Sequence, residues 1–186
     1  MNNSQAKNIA MFALLAALMV ATRSNHFDSL THLPDASLAV FLLAGCYLSF
    51  PAFPALLVIA GLTDYFALNY AGVSDWCFSP AYWFLIPTYA VMWYAGRFYA
   101  ARHSMSWRSL SLFTVTALLA TSAAFVISSG SFFLFSGRFP DMTALQYADS
   151  VAKYFAPYLG SSFLYLSIAV CIQSAAENIF RRTTHA

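Results

Sequence analysis

The chain has 186 residues, 60% hydrophobic, 18% aromatic and only 9% charged, with a mean hydropathy of +0.63, whereas soluble domains carry about 25% charged residues. That balance excludes an ordinary soluble enzyme, and a net charge of +2 with the basic residues at the edges of apolar runs argues against nucleic-acid binding. At about 20 residues per crossing, the length fits roughly six membrane helices in one domain, 1–186.

Residues 10–21, 36–50 and 110–127 are apolar on every side rather than alternating. This predicts an all-α integral membrane protein, a six-transmembrane-helix bundle, and not a β-barrel. Helix 1 is expected over about 6–22. Lys7 precedes its apolar run as in a signal peptide, but residues 21–25, Ala-Thr-Arg-Ser-Asn, make a poor cleavage site, so the helix is expected to be retained. Ala13, Ala17 and Ala21 form a small-residue ridge suited to packing inside the bundle or to docking a partner membrane subunit.

The segment from Arg23 to Pro34 is the most polar loop and holds His26, Asp28 and His32. Pro34 and Asp35 signal the start of helix 2, about 35–50. Pro51 and Pro54 make a tight turn into helix 3, about 54–70. Asp64 lies near the negative end of that helix dipole, where a carboxylate requires compensation.

A short polar break follows, Gly72 to Tyr82, with Cys77 between Trp76 and Phe78. Ser79 and Pro80 are a good helix start, Ser79 as cap and Pro80 as a residue with no amide hydrogen to leave unpaired. Cys77 is therefore expected near the positive end of helix 4, about 80–103, with a kink at Pro87. Arg97, Arg102, His103 and Arg108 cluster ahead of helix 5, about 107–129. The loop 129–143 carries Phe132, Phe133, Phe135 and Phe139 and is expected to fold back onto apolar material. Helix 6, about 144–180, opens with Gln146, Asp149, Ser150 and Lys153 on one face.

With six spans and the N-terminus inside, six of the nine basic residues fall inside (Lys7, Arg97, Arg102, Arg108, Arg181, Arg182), and every acidic residue but Glu177 falls outside. The positive-inside rule therefore predicts both termini in the cytoplasm. The His26 loop, Asp64 and Cys77 would share the outer face.

That face combines a thiol, imidazoles and carboxylates with many aromatics and few charges. Apolar pockets with a few placed polar groups suit large, nearly neutral ligands, and a thiolate selects soft or borderline metals. Together these suggest a metal-containing macrocycle. The helix start favours a Cys77 thiolate while Asp75 opposes it, so ligand, reactive thiol and inert loop thiol all stand. Asp64 either orients a ligand or bonds within the bundle, to Tyr65 for instance. Tyr82 faces the pocket or belongs to an interfacial aromatic belt. His26, His32, Asp28 and Asp75 read as loop residues unless the site recruits them. Cys46 and Cys171 lie inside spans and read as small buried packing residues. No serine nucleophile motif, phosphate loop, paired-cysteine motif or His-Glu-x-x-His spacing is present, and no histidine lies within a span to hold a b-type haem. An intramembrane thiol enzyme acting on a lipid or quinone, with Cys77 as nucleophile and His26 or His32 as base, stands as the alternative.

Six short apolar helices, the alanine ridge and an outward site resemble the S-components of energy-coupling factor (ECF) vitamin transporters. The string Ser74-Asp75-Trp76-Cys77-Phe78-Ser79-Pro80-Ala81-Tyr82, with Thr63-Asp64-Tyr65 before it and Asn25-His26-Phe27 after helix 1, looks like the BtuM-type cobalamin transporters of that superfamily, over essentially the whole chain. The resemblance implies uptake of cobalamin (vitamin B12) across the bacterial inner membrane. It implies that the Cys77 thiolate binds cobalt in place of the corrinoid's own base. Asp64, Tyr82 and the His26 loop would line the site, with Trp76 and Asp75 flanking the thiol. It further implies decyanation of cyanocobalamin through Cys77 as an accompanying activity, and transport with no dedicated energy-coupling module. An S-component for another vitamin, dependent on an external module, is the neighbouring alternative.

Overall fold

The structure, a computed structural model, describes residues 3–23, 33–70, 78–104 and 106–184, with residues 3 and 177–184 as backbone only. It is all-helical, with no strand among the described residues. In chain order the elements are α1 (Asn3–Arg23), α2 (Ser37–Tyr47), α3 (Ala52–Tyr70), a short 3₁₀ helix (Pro80–Phe84), α4 (Leu85–Ala100), α5 (Trp107–Phe135) and α6 (Ala144–Thr184). Among the described residues four helices are long and apolar enough to cross a membrane: Ser4–Arg23, Ala52–Tyr70, Trp107–Phe135 and Ala144–Ala176. Their outer faces carry exposed apolar side chains such as Leu14, Val58, Leu119 and Ile172. A soluble bundle would bury such faces, whereas lipid accepts them.

The sequence predicts α2 as a span like the others, but the structure gives it a different place. It has 11 residues, about 16 Å of helix against a hydrocarbon core of about 30 Å, and Ser37 to Gly45 are buried. It is a central strut sheathed by its neighbours. Its tightest partner is α4. Gly45 lies against the Trp93 carbonyl and Gly96 against the Leu42 carbonyl, so closely that a Cβ at either position would collide with backbone. Small residues are what permit helix backbones to approach this far. Beside that crossing the Phe41 and Tyr89 rings stack at 4.3 Å, and Trp93 meets Phe53 edge-on at 5.5 Å. At the C-terminal end of α2, the Tyr47 hydroxyl donates to the Gln173 amide oxygen of α6 at 2.7 Å.

Several expectations change. Pro87 does not kink a long helix; it occupies the first turn of α4, where a missing amide hydrogen costs nothing, and the chain ahead of it winds as the 3₁₀ helix. Ser79 does not cap through its side chain, whose oxygen is buried with no partner among the described residues; its carbonyl accepts the Tyr82 N–H at 2.8 Å. The positive helix end expected beside Cys77 is therefore five residues of 3₁₀ and not a long α-helix dipole. Helix 5, expected to stop near 129, continues through Ser128 to Ser131 and takes in a second apolar stretch, Phe132 to Phe135. Phe139 then folds back onto Phe132, Phe133 and Tyr147, with ring centroids 4.9 to 6.4 Å apart. Helix 6 starts with a reciprocal cap: Thr143 Oγ1 accepts the Gln146 N–H, and Gln146 Oε1 accepts the Thr143 N–H.

The alanine ridge is not internal packing. Ala13, Ala17 and Ala21 are all exposed, because α1 turns Leu15 and Met19 inward instead. Cys171 likewise faces outward, contrary to the buried position expected for it, whereas Cys46 is partly buried with its thiol 3.4 Å from the Gly96 carbonyl.

Candidate functional site

At one end of the bundle, the last turn of α1, the start of α2, the later part of α3 and the start of α4 converge on Arg23. This guanidinium is buried, only 9% exposed. Its Nε donates to Asp64 Oδ1 and its Nη2 to Asp64 Oδ2, both at 2.6 Å, a bidentate fork. Its Nη1 donates to the Ser37 hydroxyl at 2.9 Å and to the Tyr89 hydroxyl at 2.6 Å, and lies 4.0 Å from Asp35 Oδ2. The Ser37 hydroxyl in turn donates to Asp35 Oδ1 at 2.6 Å, and Asp35 also accepts the Ser37 N–H at 2.9 Å, which fixes the first turn of α2. On the more open side, the Tyr82 hydroxyl donates to Asp64 Oδ2 at 2.7 Å, and the Tyr82 ring lies 4.9 Å from that of Phe78.

Local structure places these groups. Thr22 Oγ1 accepts the Ala36 N–H at 3.1 Å, so the end of α1 is tied to the start of α2 across 14 residues. The Tyr165 hydroxyl of α6 donates to the Pro34 carbonyl at 2.6 Å and holds the same corner from behind. Tyr82 in the 3₁₀ helix and Tyr89 in α4 stand seven residues apart and reach one ion pair, Tyr82 at its carboxylate and Tyr89 at its guanidinium. Burying an ion pair is costly unless nearly every polar atom is satisfied. Here both Asp64 oxygens and four of the five Arg23 hydrogens have partners.

Of the residues expected to form a site, the structure brings Asp64 and Tyr82 into direct contact. Asp64 bonds to Arg23 and Tyr82 and not to Tyr65, whose side chain is exposed. His26, Asp28, His32, Asp75, Trp76 and Cys77 lie outside the described residues. The described chain stops at Tyr70 and resumes at Phe78, so the stretch holding Cys77 leaves α3 six residues past Asp64 and rejoins four residues before Tyr82. Among the described residues there is no group of three or more His, Cys, Asp or Glu side chains that could hold a metal ion.

Sequence reasoning missed Arg23, Ser37 and Tyr89. Arg23 reads as an outer-loop charge, yet it is the last residue of α1 and is buried. The available signal was Asp64 itself: a carboxylate inside a span calls for a cation, and in an up-and-down bundle the end of helix 1 meets the later part of helix 3. Paired this way, Arg23 and Asp64 cancel each other in the charge count across the membrane. No protein-family model matches this chain, and no curated protein matches it.

Proposed function

We propose that this chain takes up cobalamin across the bacterial inner membrane as a six-helix, S-component-like bundle with both termini in the cytoplasm. The observation that carries the proposal is the buried Arg23–Asp64–Tyr82 cluster at the root of the Cys77 stretch. Ion pairs of this kind inside a span are costly and are kept where a polar function needs them. The Phe78 and Tyr82 rings lie beside it, tilted against each other, and give the aromatic, weakly charged wall that a corrinoid ring requires. In this reading Cys77, the residue before Phe78, supplies the axial thiolate to cobalt. With cyanocobalamin, the electron-rich thiolate opposite the cyanide weakens the cobalt–carbon bond, and cyanide leaves with the bonding pair, with no change of oxidation state. The same reading assigns His26, Trp76 and Asp75 to substrate binding. The exposed ridge of Ala13, Ala17 and Ala21 is the surface on which a coupling module would dock if one is used.

Uptake of labelled cobalamin by cells lacking every other corrinoid transporter and every energy-coupling module tests the proposal. The full chain should restore accumulation. Cys77→Ala should cut it roughly tenfold, equivalent to about 1.4 kcal/mol of lost binding. Failure of the wild-type chain to restore uptake, alone or with a coupling module, contradicts a transport role.

A further inference from the structure

Arg23 gives the candidate site a definite hydrogen-bonding polarity. A carboxylate offers about four lone-pair positions. Asp64 Oδ2 already receives Arg23 Nη2 and Tyr82 Oη, and Oδ1 receives Arg23 Nε. One position on Oδ1 remains, and on a carboxylate held by this fork it can only accept. Tyr82 has spent its hydrogen on Asp64, so its oxygen too has only lone pairs to offer. The donors that remain, the fifth N–H of Arg23 and the hydroxyl hydrogen of Tyr89, lie on buried side chains: that of Arg23 is 8% exposed against 21% for Asp64, and Tyr89 is buried as well. Asp35, 4.0 Å from the guanidinium, leaves the cluster with one net negative charge.

We propose that Arg23, acting through Asp64 and Tyr82, makes this corner an acceptor-only subsite that selects a neutral N–H donor on the ligand, a carboxamide, and rejects the corresponding carboxylate. Arg23 is thus a positioning residue that determines specificity without touching the ligand. The inference rests on the corrinoid reading above, in which the periphery of the macrocycle carries several carboxamides. A carboxylate in place of the recognised amide loses its donor and meets a like charge, and both effects act against binding.

The test is titration of the purified full chain with cobalamin and, separately, with each isomer in which one peripheral carboxamide has been hydrolysed to a carboxylate. At least one isomer should bind about tenfold more weakly than cobalamin, the discrimination that loss of a paired donor produces. In Asp64→Asn, which can donate an N–H, and in Arg23→Gln, which removes the fork that holds both Asp64 oxygens as acceptors, that ratio should fall to about threefold or less. Arg23→Lys, which keeps the charge, should retain most of it. A purely structural Arg23 would weaken both ligands in parallel and leave the ratio unchanged, which overturns the inference. So does binding of every isomer within about twofold of cobalamin, a result that needs no variant to fold and leaves the corrinoid reading intact. Absence of any corrinoid binding by the wild-type chain overturns that reading and this inference with it.

Discussion

Arg23→Ala should destabilise the protein by about 3 kcal/mol, the scale on which removing one partner of a buried pair strands the other. For a chain of this length that corresponds to a fall in melting temperature on the order of 10 °C in detergent. The change leaves Asp64 without its fork and leaves the Ser37 and Tyr89 hydroxyls without the donor they share. The double variant Arg23→Leu/Asp64→Leu should recover at least half of the loss, because two apolar side chains need no partner, even though Tyr82 then loses its acceptor. Thermal unfolding of the single and double variants measures both effects. A single variant that melts with the wild type would show that the pair contributes nothing to the fold.

The second large effect lies at the α2–α4 crossing. Gly96→Ala puts a methyl group into the Leu42 carbonyl, and since the obstacle is backbone rather than a flexible side chain, the two helices must separate. A cost of about 2 kcal/mol is expected, typical of overpacking a tight core. Gly160→Ala is the matched control: nothing lies within 4 Å of the added carbon, and replacing a mid-helix glycine should be neutral or stabilise by about 0.5 kcal/mol. Equal melting temperatures for the two variants would contradict the close crossing.

The extent to which the fold is legible in the sequence follows from what each residue can sense locally. The long runs that become α1, α3, α5 and α6 are apolar enough that composition alone identifies them, and the Thr143 to Gln146 cap and the fold-back of Phe139 follow from local chemistry. Hydropathy is blind to what lies on the other side of a helix, however. α2 and α1 both read as apolar helices, yet one is wrapped by protein and the other turns Leu14, Ala17 and Val20 outward. For the same reason the alanine ridge could not be assigned to the inside or the outside from its spacing. The 3₁₀ winding at Pro80 to Phe84 is invisible to a periodicity argument, because five residues do not distinguish three per turn from 3.6.

The candidate site divides along the same line. That Asp64 needed a partner could be argued from its place in a span. That the partner is Arg23, 41 residues away, depends on which helix ends meet, and the packing of α1 on α2 and α3, with the Thr22 to Ala36 tie, sets that. Tyr89 sits among so many aromatic residues of α4 that nothing local sets it apart from Tyr94, which faces outward.

The central claim is a bond between the Cys77 thiolate and the cobalt of a bound corrinoid, and the absorbance spectrum of the full chain purified with cobalamin tests it most directly. The account predicts that the corrinoid co-purifies with a spectrum displaced from that of free cobalamin, and that Cys77→Ala abolishes this displacement. A bound corrinoid whose spectrum is the same with and without the Cys77 thiol would contradict it.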